Sequence, residues 1–392
     1  MKRPIVALVL ATLVLSSCSA ASHPRATTTT VHTTTPTTKP VTTTTQARKG
    51  ALVEDLTWIS PTHGWALVET PNCGQTTCTQ VLTTIDGGTN WTQVGTIGAP
   101  SNCTSCGLLG VSHIRFANDL DGYAFGPSFF TTTDGGATWT QQSGPYVVAL
   151  EPVGANVIRI SDTRTGCPGP CDLSIQSAAV GGAAWQTLTG PFQGDSVQLV
   201  RQANEVYVAV FANPAGGVSD AHATLMLSQD DGTTWGERAD PCGEVGGEEF
   251  DTAAISAAPQ GVVAALCVDR ARPTHAFVDV STDSGVVFAA GSILTSSGIL
   301  GSVALTSASN LFVGSAGGPG KGSATWMLQA SRDGGQTWQQ AVVQTGKDEP
   351  YFPARNFLGF ENSEVGRWVG YPSNIWETTN GGVQWVKQSV AP

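Results

Sequence analysis

An aspartate followed by one or two glycines and closed by a tryptophan recurs along this chain: TTIDGGTNW (Thr83–Trp91), TTTDGGATW (Thr131–Trp139), LSQDDGTTW (Leu227–Trp235) and QASRDGGQTW (Gln329–Trp338), with WETTNGGVQW (Trp376–Trp385) as a variant. Two chemistries suit such a spacing: a loop whose oxygens hold an ion, or a turn whose carboxylate is taken up by its own backbone N–H groups. A calcium cage needs about six or more oxygen donors, and each copy offers one certain carboxylate. Asn380 stands at the aspartate position of one copy, and Val180 at that of VGGAAW (Val180–Trp185). The carboxylates of Asp86, Asp134 and Asp333 are therefore expected to close turns, with the glycines supplying positive φ. Trp91, Trp139, Trp235, Trp338 and Trp385 are expected to start an outer strand and bury their rings. No metal and no cofactor are expected.

Cysteine offers a second kind of chemistry. Eight cysteines fall into local pairs: Cys73 with Cys78, Cys103 with Cys106, Cys167 with Cys171, and Cys242 with Cys267. Cys103-Thr-Ser-Cys106 is half a zinc knuckle or a redox pair by spacing. Only His113 lies near it as an imidazole, and no charged or helical surroundings are visible that would lower a thiol pKa. Four loop disulfides fit an exported chain better.

The elements that carry these residues follow from the spacing. Aligned on the tryptophans, two gaps are doubled, and weaker copies fill them at Trp185 and at STDSGVVF (Ser281–Phe288). Seven units of about fifty residues then account for Gly50–Pro392, with no room for a second domain. Each unit reads as an apolar strand (HIRFAND, His113–Asp119), a turn, a second strand (DGYAFG, Asp121–Gly126), a third leading into the acidic turn, and a fourth starting at the tryptophan (WTQV, Trp91–Val94). Second strands recur as GWALVE, EVYVAV, GVVAALCV, LFVGS and GRWVGY. The fold expected is all-β: a seven-bladed propeller of four-stranded antiparallel blades. Val53–Ile59 fits either the start of the first blade or the completion of the last.

The start of the chain has another character. Lys2 and Arg3 precede an apolar run, Ile5–Leu15, that is too short to span a bilayer as a permanent helix, so residues 1–17 read as an export signal. Leu15-Ser16-Ser17-Cys18 resembles the bacterial lipoprotein box, which implies lipidation at Cys18 and a lipid-anchored, extracytoplasmic protein of the bacterial cell envelope. Residues 18–49 read as a disordered tether, since thirteen of the twenty residues from Ala26 to Thr45 are threonine. The rest of the chain carries thirteen Lys and Arg against thirty Asp and Glu, a formal charge of −17. Such a surface repels phosphate backbones, so nucleic acid is not expected as a partner.

The pattern Ser/Thr-x-Asp-x-Gly-x-Thr-Trp at Thr84–Trp91, Thr132–Trp139, Ser228–Trp235 and Ser331–Trp338 resembles the Asp-box, or BNR repeat. Over Gly50–Pro392 the chain resembles the photosystem II stability and assembly factor-like family of seven-bladed propellers and, more distantly, the sialidase superfamily. The first resemblance implies a scaffold; the second implies a glycoside hydrolase with an arginine triad, a Tyr–Glu nucleophile and an aspartate acid. Arg115, Arg159 and Arg201 lie in the apparent first strands of three successive units, but in different registers and with no recognisable Tyr–Glu pair. Asp119, Asp195, Glu248, Asp251 and Glu361 are available as paired carboxylates for other glycosidases, without any pair singled out.

Long connections join the second to the third strands and successive units, and the paired cysteines lie in or beside them, so one face of the disc is elaborated and the other plain. Candidate contacts on the elaborated face are Arg164, Asp269, Arg270, Arg272, His275, Trp326, Lys347, Asp348, Glu349 and Tyr351. Arg270 and Arg272 could receive a carboxylate or sugar acid, or simply pair with Asp269. Trp326 reads better as the start of a third strand. The expected function is a monomeric, non-enzymatic propeller that docks an envelope protein or a glycan, with no catalytic residue assigned.

Overall fold

The computed structural model describes residues 52–69, 79–101, 110–162, 171–194, 196–211, 223–242, 244–245, 248–269, 271–272, 274–296, 299–316, 323–347, 357–370 and 374–390. They form seven antiparallel sheets arranged as a seven-bladed β-propeller. The first blade consists of Leu52–Trp58, Gly64–Glu69, Thr79–Thr84 and Thr92–Ile97. The second comprises His113–Phe116, Gly122–Phe125, Phe130–Thr132 and Thr140–Gln141. The third comprises Tyr146–Val153, Asn156–Asp162, Cys171–Ala179 and Gln186–Gly194. The fourth comprises Ser196–Gln202, Glu205–Phe211, Ala223–Ser228 and Gly236–Arg238. In the fifth, Glu248–Ala258, Val262–Asp269 and His275–Ser281 are joined by an outer strand split into Ala289–Ala290 and Leu294–Thr295, and Glu244–Val245 adds a short inner hairpin. The sixth comprises Ile299–Ser307, Asn310–Ala316, Ser323–Ser331 and Gln339–Lys347. The seventh comprises Leu358–Phe360, Gly366–Val369, Asn374–Thr378 and Val386–Ser389.

The ring follows from the second strands. Val262–Asp269, VVAALCVD, is buried along its whole length. With a period of two, Val263, Ala265 and Cys267 join Leu225 and Leu227 of the blade before, and Ala264, Leu266 and Val268 join Leu300 and Leu311 of the blade after. A sheet that is apolar on both faces needs a neighbour on each side. The buried apolar residues accordingly form seven clusters, each shared by two successive blades and one joining the last blade to the first.

The acidic turns tie each blade to itself and to its predecessor. Asp134 Oδ1 accepts the Thr138 N–H at 2.9 Å and the Thr132 hydroxyl at 2.7 Å, while the Gly136 N–H donates to Thr132 Oγ1 at 3.1 Å. The Thr138 hydroxyl and N–H, with Thr132, hold the Asp134 carboxyl down at about 2. Equivalent bonds form around Asp86, Asp230, Asp283, Asp333 and Asn380. Gly87, at φ 75°, turns its N–H onto Thr62 O in the turn between the first two strands, at 3.0 Å. The third blade has Val180 in place of the acid and borrows a partner, since the Gly181 N–H donates to Tyr123 Oη of the preceding blade at 3.0 Å. Trp139, Trp235 and Trp385 donate their indole N–H to the carbonyl oxygens of Gly136, Gly232 and Gly382 in their own turns. Trp91 and Trp338 leave Nε1 buried without a partner among the described residues. The fourth strand of the first blade begins one residue after Trp91.

Leu52–Trp58 is the inner strand of the first blade, paired with Gly64–Glu69. Each blade is thus built from one continuous stretch of chain, and side chains close the ring. Arg367 of the seventh blade, fully buried, stacks its guanidinium 3.4 Å from the Trp58 ring centroid and donates to Pro61 O at 2.9 Å. It also pairs with Glu361 at 2.5 Å and Glu377 at 2.9 Å. Gly64 leaves the space that Trp58 occupies, as a Cβ there would sit 2.4 Å from the indole.

Arg367→Ala removes the shared partner of two buried carboxylates and should lower stability by about 3–5 kcal/mol in urea titration. Burial pushes Glu361 up to about 7 despite Arg367. A carboxyl raised on folding contributes stability fully below its unfolded value of about 4.3, and that contribution is lost as pH rises through about 7. Thermal melts should therefore show Glu361→Gln gaining on the wild type as pH rises through that window. A gap that is constant with pH contradicts this assignment.

Candidate functional site

The first strands surround a central cavity of about 560 Å³. A strict in–out alternation would send every second residue of an inner strand away from the axis. Four inner strands break it with a bulge, at Glu54, Val148, Ala253 and Gly301. The unpaired residue bends the strand, and adjacent residues then face the cavity together: Glu54 with Asp55, Val148 with Ala149, Gly301 with Ser302. Ser112, His113, Phe125 and Phe357, also in the wall, lie at strand ends on the face of the long connections.

The wall has two characters. Toward the first three blades it carries Glu54, Asp55, His113, Arg115 and Glu151; toward the others it is mainly aliphatic, with Val197, Leu199, Ile255, Val303 and Leu358. In HIRF, Ile114 and Phe116 enter the apolar seam with the first blade, leaving Arg115 beside the axis. Its Nη1 donates to Asp55 Oδ2 at 2.7 Å and its Nε to Glu151 Oε1 at 2.7 Å, so one guanidinium clasps three blades. Asp55 also accepts the Ile114 N–H at 3.0 Å and lies 3.4 Å from His113 Nδ1. Burial alone would raise the Asp55 carboxyl, but Arg115 and His113 bring it below the ordinary value. Burial likewise works against the Arg115 charge, and Glu151 and Asp55 more than restore it. The clasps continue around the axis. Arg201 Nη1 donates to Pro152 O at 2.8 Å, and Gln198 bridges Ala253 O at 3.2 Å and the Ile255 N–H at 2.8 Å.

The three arginines of the sialidase resemblance do not converge. Arg159 lies on the second strand of its blade, where its guanidinium sits 3.9 Å from the Trp185 ring centroid, and burial lowers it to about 10. Arg201 holds Pro152 O and Ala203 O and lies 3.6 Å from Asp231. Asp119 pairs with His63 at 3.0 Å near the tight turns, and Glu361 belongs to the Arg367 network. Asp251 is half-buried in an inner strand, and Asp195 lies outside the described residues.

Of the contact candidates, Arg164, Arg270, Asp348, Glu349 and Tyr351 lie outside the described residues, as do Cys18, Cys73, Cys78, Cys103, Cys106 and Cys167. Asp269, Arg272 and His275 share one short connection. There Asp269 accepts the Ala271 N–H at 2.8 Å and Arg272 Nε at 2.5 Å, and His275 Nδ1 lies 3.3 Å from Thr274 Oγ1. Asp269 is thus occupied in holding the loop, and its carboxyl is lowered: burial opposes, but Arg272 and the loop N–H groups prevail. Trp326 is part of the third strand of the sixth blade, and Lys347 ends the fourth. Cys242 and Cys267 form a disulfide with Cα atoms 5.5 Å apart, and Cys171 is disulfide-bonded. The sequence does not mark Glu54, Asp55, His113 and Glu151 as site residues. The one local signal was the acid pair interrupting the apolar run of VEDLTW.

Arg115→Met leaves Asp55 and Glu151 without their common partner and should cost a few kcal/mol, about 3–5, at neutral pH. The folded Asp55 carboxyl lies below its unfolded value. Its contribution is therefore present above about 3.9 and lost as pH falls through the folded value. Urea titrations should show the difference between variant and wild type shrinking on acidification. A difference that grows in acid rules out this clasp.

No protein-family model and no curated protein matches this chain. Solved structures do. YCF48 bound to D1 peptide is 17% identical, with 86% of this chain and 93% of that chain covered at a TM-score of 0.51. YCF48 from Cyanidioschyzon merolae is 15% identical, with 86% and 96% covered at a TM-score of 0.52. A sialidase of Trypanosoma rangeli is 14% identical, with 62% and 48% covered at a TM-score of 0.42. At these identities the likeness is one of fold.

Proposed function

We propose that this chain is a non-enzymatic binding propeller that docks a protein or glycan of the cell envelope on its long-connection face, around the mouth of the central cavity. The observation that carries this reading is the state of the charged groups at the axis. Asp55, Arg115 and Glu151 are fixed by one another at 2.7 Å, making a rigid wall of preset charge. Preorganisation of this kind favours recognition, because little side-chain entropy is lost when a ligand arrives. The fold likeness to a propeller solved with a bound peptide adds support for a protein segment as the ligand. The composition of residues 1–49 supports the placement: export, a lipid on Cys18, and a threonine-rich tether ahead of the propeller.

The test is site-directed photo-crosslinking in the intact cell. A photoreactive residue at His113 or Phe357, at the cavity mouth, should yield a discrete adduct. The same residue at Val287, on the acidic-turn side, should yield none. Adducts from Val287 alone, or turnover of a glycan by the purified chain that is abolished by Glu151→Gln, would sink the proposal.

A further inference from the structure

In this acidic body Arg115, Arg201, Arg272 and Arg367 each sit 2.5–3.6 Å from a carboxylate oxygen. Arg159 has none. The residue is only 6% exposed, its Nε donates to Gln176 Oε1 at 2.8 Å, and its guanidinium lies 3.9 Å from the Trp185 ring centroid and 5.3 Å from that of Phe129. Nη1 and Nη2 make no hydrogen bond or ion pair among the described residues, yet neither is sealed from solvent. Burial alone shifts this group, with no carboxylate acting on it. The second strand NVIRISD explains the placement. Val157 enters the apolar seam with the second blade, and a period of two sends Arg159 to the same side. The outer strand of the second blade, Thr140–Gln141, has two residues, whereas Gln186–Gly194 in the third has nine. The outer part of the third blade is therefore left open on that side, where Thr187 is exposed and Arg159 lies on Trp185 at the head of the outer strand.

A buried cation without a counter-ion is costly, and an arriving anion relieves that cost. Gln176 and Trp185 fix the plane of the guanidinium, so little side-chain entropy is lost on binding. What remains free is a planar fork of two Nη donors, which matches the two oxygens of a carboxylate. A sugar acid brings ring hydroxyls as well, but Gln176 beside the fork is already engaged, at Oε1 by Arg159 and at Nε2 by Thr187. A polyanion meets the repulsion of a body at −17. We propose that Arg159 is a binding site for a single carboxylate, that of an aspartate or glutamate on a partner polypeptide lying along the outer edge between the second and third blades. Arg159 is not part of the axial cavity wall, so this site stands or falls independently of the docking face at the cavity mouth.

The test is NMR titration of the folded chain, read at the Trp185 indole N–H, with end-capped heptapeptides of alanine and serine that differ only at the central residue: glutamate, glutamine or lysine. The glutamate peptide should bind about tenfold or more tightly than the glutamine peptide. That advantage should weaken as salt is raised. Arg159→Met should abolish it, and Arg159→Lys, which keeps the charge but loses the fork, should lose most of it. Equal binding of the glutamate and glutamine peptides, or an unchanged preference in Arg159→Met, overturns the site. If Arg159→Met does not fold, Arg159→Lys decides: a full preference there overturns the fork. Saturable shifts with glucuronate but none with the glutamate peptide assign the site to a sugar acid and sink the polypeptide partner.

Discussion

Burial on both faces of each blade is the constraint from which the rest of this structure follows. A strand such as Val262–Asp269, apolar at every position but its last, can be shielded only if a neighbouring sheet covers each side. Repeating that demand through seven sheets leaves closure as the way to avoid two bare faces. Here closure uses no exchanged strand, because the first and last blades are each complete. The seam between them is made of Val53, Leu56 and Trp91 against Val369 and Ile375, and it is pinned by one buried arginine lying on Trp58.

Closure in turn creates the site. Bringing seven inner strands together places polar side chains near one another at the axis, where they must find partners. Asp55, Arg115, Gln198 and Arg201 find them by crossing from blade to blade. The bulges at Glu54, Val148, Ala253 and Gly301 widen the inner wall and turn consecutive residues toward the axis. The proposed docking site thus lies beside the same side chains that brace the ring.

The blades were legible because their signal is local and repeated. Each acidic turn with its tryptophan and each apolar second strand lies within ten residues and recurs about every fifty, and the observed second strand Gly64–Glu69 coincides with the segment read from sequence. Sequence alone places Arg159 on a first strand, whereas it lies on the second, because Tyr146–Val153 carries Glu151 and Pro152 and reads poorly as a buried strand. Sequence alone leaves the start of the ring open because Val53–Ile59 is equally apolar in either role, and only pairing with Gly64–Glu69 decides it. The axial clasp was illegible for a different reason. Arg115 meets partners 60 residues before it and 36 after it, and no local pattern reports such a meeting. Bulges are equally silent in a single sequence, since Gly301 and Ala253 look like ordinary strand residues.

The central claim is that seven self-contained sheets close into one cooperative ring through side chains alone. Native-state hydrogen exchange tests it most directly. The account predicts that backbone amides of Ala66 and Leu67 in the first blade and Trp368 in the seventh exchange as slowly as those of Ala264–Leu266 in the fifth, and respond to denaturant as one unit. Fast exchange confined to the first and seventh blades, with the fifth still protected, would show an open seam and contradict it.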